Sequence, residues 1–370
     1  MAQSSLTTGP HDIAVIGGGI IGLSTAWRLA ERGVGVVVVD PEPGRGAAWV
    51  AAGMLASASE ANFGEESHAT LLAAGAQRWP SFAAELSDAT GLELDFQRTG
   101  TLLVGFHQSD AAELARNAAL QRSLGFEVLD LDAAERRKRE PALSPAIAAT
   151  KFVAGDYHVD PRLVLAALLE TLGSMDNVSF VRETTTRLDV QDDAATVHLR
   201  DGGVLVATRV VVCAGAWTNK IEGLERYGPP SVRPVKGHIV RLFGEPILGH
   251  TIRAIVRGRH VYLVQRASGE LVIGATAEEK GFDTTVQAGE IFQLLDDART
   301  ILPAIDDLEL AETSCGLRPA SSDNHPSVGW LEEGRLAIAT GHYRNGVLLS
   351  PITADMIADL VVGEMVVPSP

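Results

Sequence analysis

Residues 12–40 read DIAVIGGGIIGLSTAWRLAERGVGVVVVD. An apolar run with strand character, 12–16, leads into G-x-G-x-x-G as Gly17, Gly19 and Gly22. Ile20, Leu23, Ala26, Trp27 and Ala30 then recur at helical spacing. Gly33 ends the helix, and VGVVVV is a second buried strand that stops at Asp40. Strand, helix and strand in this order make a βαβ unit. The glycines permit a tight turn and close approach of the backbone to a pyrophosphate. The helix N-terminus offers unpaired N–H groups and a positive dipole end, and Asp40 stands where an acid accepts from a ribose hydroxyl.

This unit alone does not separate NAD from FAD. The rest of the chain helps, because an NAD dehydrogenase usually keeps its nucleotide-binding strands in one block. Here β/α pieces recur near 11–50, 150–220 and 312–365. DPRLVLAALLETL (160–172) reads as a helix with Asp160 as N-cap and Pro161 at its first position. TRVVVCAGAW (208–217) and RLAIATG (335–341) read as buried strands. Between these pieces lie short alternating strands, TGTLLVGF, HIVRLF and ELVIGAT, with antiparallel character. The expected fold class is α/β plus α+β, an interleaved two-domain protein. A Rossmann-like nucleotide domain takes 11–85, 150–226 and 312–365. A substrate domain with a large mixed or antiparallel sheet takes 86–149 and 227–311.

Composition narrows the function. The 370 residues are 46% apolar and 21% charged, which marks a globular chain large enough for two cores. Acidic residues outnumber basic ones 47 to 31, for a net charge of −16, so nucleic acid and anionic membranes are not expected partners. RRKR at 136–139 lies between Glu135 and Glu140 and reads as a solvated helix face. No apolar run suggests a membrane span, and MAQSSLTTGPHD has no signal-peptide character. Two cysteines, Cys213 and Cys315, make neither a disulfide framework nor a metal site, and fit a reducing cytoplasm.

Seven motifs occur in a characteristic order: GGGIIG, WVAAGML (49–55), VVVCAGAW, RPVKG (233–237), GELVIGAT (269–276), CGLRP (315–319) and GHYRNGVLLSP (341–351). Together they resemble the glycine oxidase family, in the D-amino-acid oxidase and sarcosine oxidase superfamily, over about residues 12–362. The resemblance implies FAD as cofactor and oxidative deamination of glycine through an imine to glyoxylate and ammonia. It implies oxygen as acceptor with release of peroxide, hand-off of the imine to thiazole synthesis in thiamine-making cells, and a tetramer. A dehydrogenase of the same fold that prefers D-amino acids or sarcosine remains an alternative, as does a non-catalytic redox sensor.

The resemblance also implies residue roles. Ile20 and Ile21 abut the pyrophosphate. Ala47, Ala48, Ala51, Ala52 and Gly53 line the flavin side, and Ala214, Gly215 and Trp217 follow a second FAD-facing strand. Thr185 or Thr186 approaches the adenine. A substrate carboxylate calls for a fork of charge-assisted donors, and Arg318 is the candidate. In RHVYLVQR (259–266) strand alternation puts His260 and Tyr262 on one side, where Tyr262 can donate to that carboxylate and His260 can shape the site. Met54 packs at the cavity. Ala277 stands where some glycine oxidases carry methionine, which implies a roomier pocket. Cys315 lies about where sarcosine oxidases attach flavin covalently, although glycine oxidases hold FAD without a bond.

The stretch 341–351 reads as a strand-to-helix turn, with Ser350 and Pro351 as N-cap and first helical residue, or a first turn nearer Gly346. Backbone donors from His342, Tyr343, Asn345, Gly346, Val347 and Leu348 would meet the flavin, Arg344 would sit at the cavity rim, and Ile352, Met356 and Leu360 would form an apolar stripe.

Overall fold

The computed structural model describes residues 11–363. The N-terminal stretch read for a signal peptide therefore lies mostly outside the described residues, as does the end of the last expected domain segment. The opening unit forms as strand His11–Ile16, helix Ile20–Glu31 and strand Val36–Val39. Its close packing explains two glycines. A Cβ on Gly22 would lie 1.8 Å from the Gly17 carbonyl oxygen, and one on Gly17, whose φ is +106°, would lie 2.4 Å from the Cys213 oxygen.

The first sheet runs in the order Ser327–Glu332, Leu336–Thr340, Val204–Val212, His11–Ile16, Val36–Val39, Val178–Val181. All neighbours are parallel except the Ser327–Glu332 edge. Strand alternation divides its side chains. Ile13, Val15, Val36 and Val38 pack against helices Ile20–Glu31, Ala69–Thr90, Pro161–Ser174 and Gly346–Gly363. Ala14, Ile16, Val37 and Val39 pack against Thr185–Val190 and Ala195–Leu199, an antiparallel ribbon added to Val204–Val212. Both faces are covered, which is why VVVV is apolar at every position.

The second sheet runs Glu309–Ala320, Arg233–Phe243, Glu270–Gly274, Arg259–Gln265, Thr251–Val256, Thr101–Gly105, Ala149–Val153, Leu129–Leu131. One face packs on helix Ala288–Ile301. The other carries Ile239, Val264 and Val272 against Ala52, with Tyr262 and Met54 at the edge. Ala149–Val153 and Glu309–Ala320 both belong here, so the expected boundaries at 149/150 and 311/312 fall inside strands. An apolar run shows strand character without showing which sheet it joins. The second strand lies along Arg233–Phe243 for its whole length, from Arg233 opposite Ala320 to Phe243 opposite Glu309.

The C-terminal helix takes the second of its two expected starts and departs from expectation in two ways. It begins at Gly346, after a single 3-10 turn at Tyr343–Asn345, so Ser350 and Pro351 are interior. Proline lacks the N–H that would reach the carbonyl four residues back. Here the Ser350 hydroxyl donates to that carbonyl, Val347 O, at 3.0 Å. The buried face is Ser350, Thr353, Ala354, Ile357, Ala358 and Val361, whereas Met356 of the expected stripe is exposed. Finally, residues 343–363 are long and apolar enough to cross a membrane by length and composition. In the fold this helix packs against Ile20–Glu31 and Ala69–Thr90, where its small residues allow close approach.

The RRKR run lies in helix Ala133–Arg139, capped by Asp132 and Glu135. Only part of it is solvated. Arg136 is buried and donates to the Ile147 carbonyl at 2.9 Å.

Candidate functional site

A long cleft lies between the two sheets, and its lining begins at the first βαβ turn. Gly17, Gly19, Ile20, Ile21 and Asp40 form one end. Helix Ile20–Glu31 starts here with no side-chain cap, so its first N–H groups are left for a ligand. A Cβ on Gly19 would meet nothing within 4 Å, which is the open space a pyrophosphate requires. Asp40 accepts from Gly18 N at 2.7 Å and Glu42 N at 2.8 Å. A carboxylate has about four lone-pair sites, so acceptor capacity remains for a hydroxyl. Gly22 does not line the cleft; its role is the helix–strand approach described above.

The middle is lined by Gly46, Ala47, Ala48, Val50, Ala51, Ala52, Gly53 and Met54 on one side and by Cys213, Ala214, Gly215 and Trp217 on the other. Three arginines hold the first of these segments by its carbonyls. Arg162 donates to Trp49 O at 2.9 Å, Arg241 to Val50 O at 3.2 Å, and Arg266 to Ala52 O. Arg241 and Arg266 are fully buried. Arg162 also makes a two-pronged ion pair with Glu312 across the sheets, at 2.9 and 2.7 Å. Sequence reading found the alanines and missed these supports, because residues more than a hundred positions away supply them. Cys213 is buried, and desolvation pushes its thiol up to about 12.

At the far end stand Gly237, Ile239, Tyr262, Gly316, Leu317, Arg318 and Pro319, facing His342, Tyr343, Arg344, Asn345, Gly346 and Val347. Two glycines make this end possible. A Cβ on Gly237 would lie 2.3–2.5 Å from the Arg318 guanidinium, and one on Gly274 would lie 2.3 Å from the Tyr262 hydroxyl. Thus RPVKG and GELVIG each end in the glycine that makes room for a functional side chain. Arg318 donates from Nη1 to the Thr276 carbonyl at 3.0 Å and, among the described residues, has no carboxylate in salt-bridge range. Burial pushes the Tyr262 phenol up, against the pull of Arg318, so Tyr262 stays protonated and able to donate.

Arg344 has acidic partners that the sequence does not show. It lines the cleft, but its Nε donates to Glu60 at 2.9 Å and its Nη2 pairs with Glu65. Glu60 also pairs with Arg253. Burial pushes the Glu60 carboxyl up, but Arg253 and Arg344 outweigh it and hold the group at about 2. Glu60 is therefore a fixed anion between two cations. Sequence reading missed both it and Arg253, since no motif marks either.

Other expected residues are placed as follows. His260 and Tyr262 share a face of their strand, as alternation predicted, but His260 stands at the outer mouth, largely exposed, with Nε2 3.1 Å from Glu113. It lines a second chamber next to the cleft and not the cleft itself. Thr185 lies in the ribbon paired with Leu199 and does not line the cleft. Leu348, the residue after the last lining position, is buried, and its carbonyl accepts from Trp79 Nε1 at 2.9 Å. The His342 ring is also buried. Desolvation lowers it to about 3, and its Nε2 lies 3.0 Å from Thr353 Oγ1. It is a neutral packing group whose backbone meets the cleft. The Cys315 thiol donates to the Thr284 carbonyl at 2.9 Å, and Cys315 does not line the cleft. Among the described residues there is no cluster able to hold a metal ion.

The donor set fits FAD. An uncapped helix N-terminus and glycine-cleared space suit the pyrophosphate, a flat apolar middle suits a ring system, and a second helix start lies beside that ring's place.

Comparison with known proteins agrees. A family model described as FAD dependent oxidoreductase matches residues 12–360. The glycine oxidase of Geobacillus kaustophilus is 34% identical over 95% of this chain and 93% of its own. Its crystal structure superposes with a TM-score of 0.89, covering 96% of this chain and 95% of that one. A bifunctional protein ThiO/ThiG of Trichormus variabilis is 31% identical over 95% of this chain, which spans 53% of that longer protein.

Proposed function

The chain belongs to the family of FAD-dependent oxidoreductases, and from that premise we propose that it oxidises the amine of glycine, sarcosine and small D-amino acids. The observation that carries this reading is Arg318, a cation in the cleft with no acidic partner among the described residues, beside a protonated Tyr262. An uncompensated guanidinium in a closed site is matched by a carboxylate, and its planar fork fixes the carboxylate's orientation. With its carboxylate bound there, the substrate's α-carbon lies toward the apolar middle of the cleft.

FAD, when bound, takes up the hydride that leaves the α-carbon. The residues do the rest by orientation and charge. Glu60 is ion-paired on both oxygens and His342 is buried and neutral, so neither serves as a base near pH 7. The substrate amine therefore enters already neutral, loses its N–H proton to water, and leaves as an imine that hydrolyses to glyoxylate and ammonia. Oxygen takes the two electrons and two protons and becomes hydrogen peroxide. Non-covalent FAD is supported by the place of Cys315, which is not among the residues lining the cleft and donates to the Thr284 carbonyl.

The ThiO/ThiG relative carries a second activity on the same chain, which supports hand-off of the imine to thiazole synthesis in thiamine formation. Both cysteines are free, which fits the cytoplasm. The test is peroxide release by the yellow holoenzyme across glycine, sarcosine, D-alanine and D-proline. Reduction of a dye without peroxide would move the reading to a dehydrogenase. Oxidation of none of the four would overturn it.

A further inference from the structure

Beyond Arg318 and Tyr262 the cleft opens into a second chamber of about 390 Å³, which shares Glu60, Tyr262, Arg318 and Arg344 with it. One liquid water occupies about 30 Å³, so an arm of several heavy atoms fits. Its outer wall is helix Gln108–Ser123, which presents Leu114, Asn117 and Gln121 at helical spacing. Leu103 and Ile255 add apolar surface, and His260 stands at the mouth. Gln121 is only 3% exposed, and its Oε1 is buried with no hydrogen-bond partner. With Asn117 beside it, this wall carries two carboxamides, groups that can both donate and accept.

Charge decides what kind of group fits there. The chamber is lined by three guanidiniums, Arg253, Arg318 and Arg344, against two carboxylates, Glu60 and Glu65. Arg253 and Arg344 are paired with those carboxylates. The surplus charge is that of Arg318, and the substrate's own carboxylate neutralises it. No charge is left over for a second ionised group.

We propose that the chamber is a subsite for an uncharged hydrogen-bonding arm on the substrate, such as a terminal hydroxyl held by the carboxamides of Asn117 and Gln121. The inference rests on the amine-oxidase reading above and names the substrate class: small amino acids with a neutral polar arm on nitrogen or on the α-carbon.

Matched pairs test it in the holoenzyme by peroxide release. N-(2-hydroxyethyl)glycine is compared with N-propylglycine, and D-homoserine with D-norvaline, so each pair differs by one hydroxyl in place of a methyl. In at least one pair the hydroxyl member is expected to show roughly tenfold higher kcat/KM, and that pair identifies where the arm is attached. Iminodiacetate, with an anionic arm, should fall below it. Gln121→Leu should abolish the preference. If that variant does not fold, Asn117→Leu on the same helix face should reduce it. Equal kcat/KM within both pairs overturns the proposal. So does failure of every armed compound while sarcosine is oxidised, or a preference that survives both substitutions. If glycine and sarcosine are not oxidised either, the parent reading falls and this one with it.

Discussion

The two ends of the cleft are built on different principles. At the βαβ end the cleft presents backbone: glycines, an uncapped helix start and one acid, all within residues 17–40. At the other end the cleft and its neighbouring chamber present side chains from positions 60, 253, 262, 318 and 344. Backbone sites follow from local sequence, because a βαβ turn brings its own donors. Side-chain sites need a sheet to bring distant residues together, and they need charge management. Of the three arginines there, two are neutralised by Glu60 and Glu65 and the third, Arg318, has no acidic partner among the described residues.

The largest effect that could break this comparison is loss of that one charge. Arg318→Ala should lower kcat/KM for glycine by an amount corresponding to roughly 2–5 kcal/mol, with the yellow FAD retained, and Arg318→Lys should not restore it, because one ammonium cannot replace a two-pronged fork. Unchanged steady-state kinetics would mean that the carboxylate binds elsewhere. Next comes Glu60→Gln, which leaves Arg253 and Arg344 with an uncharged partner. The Glu60 carboxyl is depressed in the fold to about 2, worth about 3 kcal/mol when compared with an ordinary glutamate. That stabilisation is fully present above the ordinary glutamate range and is lost as pH falls toward about 2. Thermal unfolding followed from pH 6 downward should show this loss in the natural protein and a weaker dependence in the variant.

Gly237→Ala sharpens the comparison further. Its methyl would displace the Arg318 guanidinium, so apparent glycine affinity should weaken by about 1–3 kcal/mol while FAD content stays intact. Gly22→Ala, at the other end, should do the reverse and deplete FAD in the purified protein. If both variants lost cofactor equally, the two ends would not be separable. An effect of opposite sign is expected at Asp156, which is buried with its Oδ1 accepting from Ala58 N at 3.1 Å. Desolvation raises its carboxyl to about 6. A raised acid binds more protons folded than unfolded, so stability falls as pH rises from about 4 to about 6. Asp156→Asn should remove that fall, seen as a higher Tm than the natural protein above pH 6 and little difference near pH 4.

Much of this was legible in the chain. The fingerprint, the Asp160–Pro161 helix start and the alternation that aligns His260 with Tyr262 all rest on local periodicity or capping. What escaped was set by partners. Pro351 looked like a helix start because proline favours that position, yet the Ser350 hydroxyl satisfies the carbonyl it abandons and the helix runs through. Arg344 takes its acidic partners, Glu60 and Glu65, from 284 and 279 positions away. The arginines on Trp49, Val50 and Ala52 left no signal at all.

The sequence by itself determined the βαβ unit of residues 11–40 and its uncapped helix start, because strand, turn and helix spaced in one short segment carry their own backbone donors. Only the tertiary structure decided which arginine is available to a substrate. That depends on which carboxylates the fold buries beside each guanidinium, and ion pairing acts across space without regard to distance along the chain.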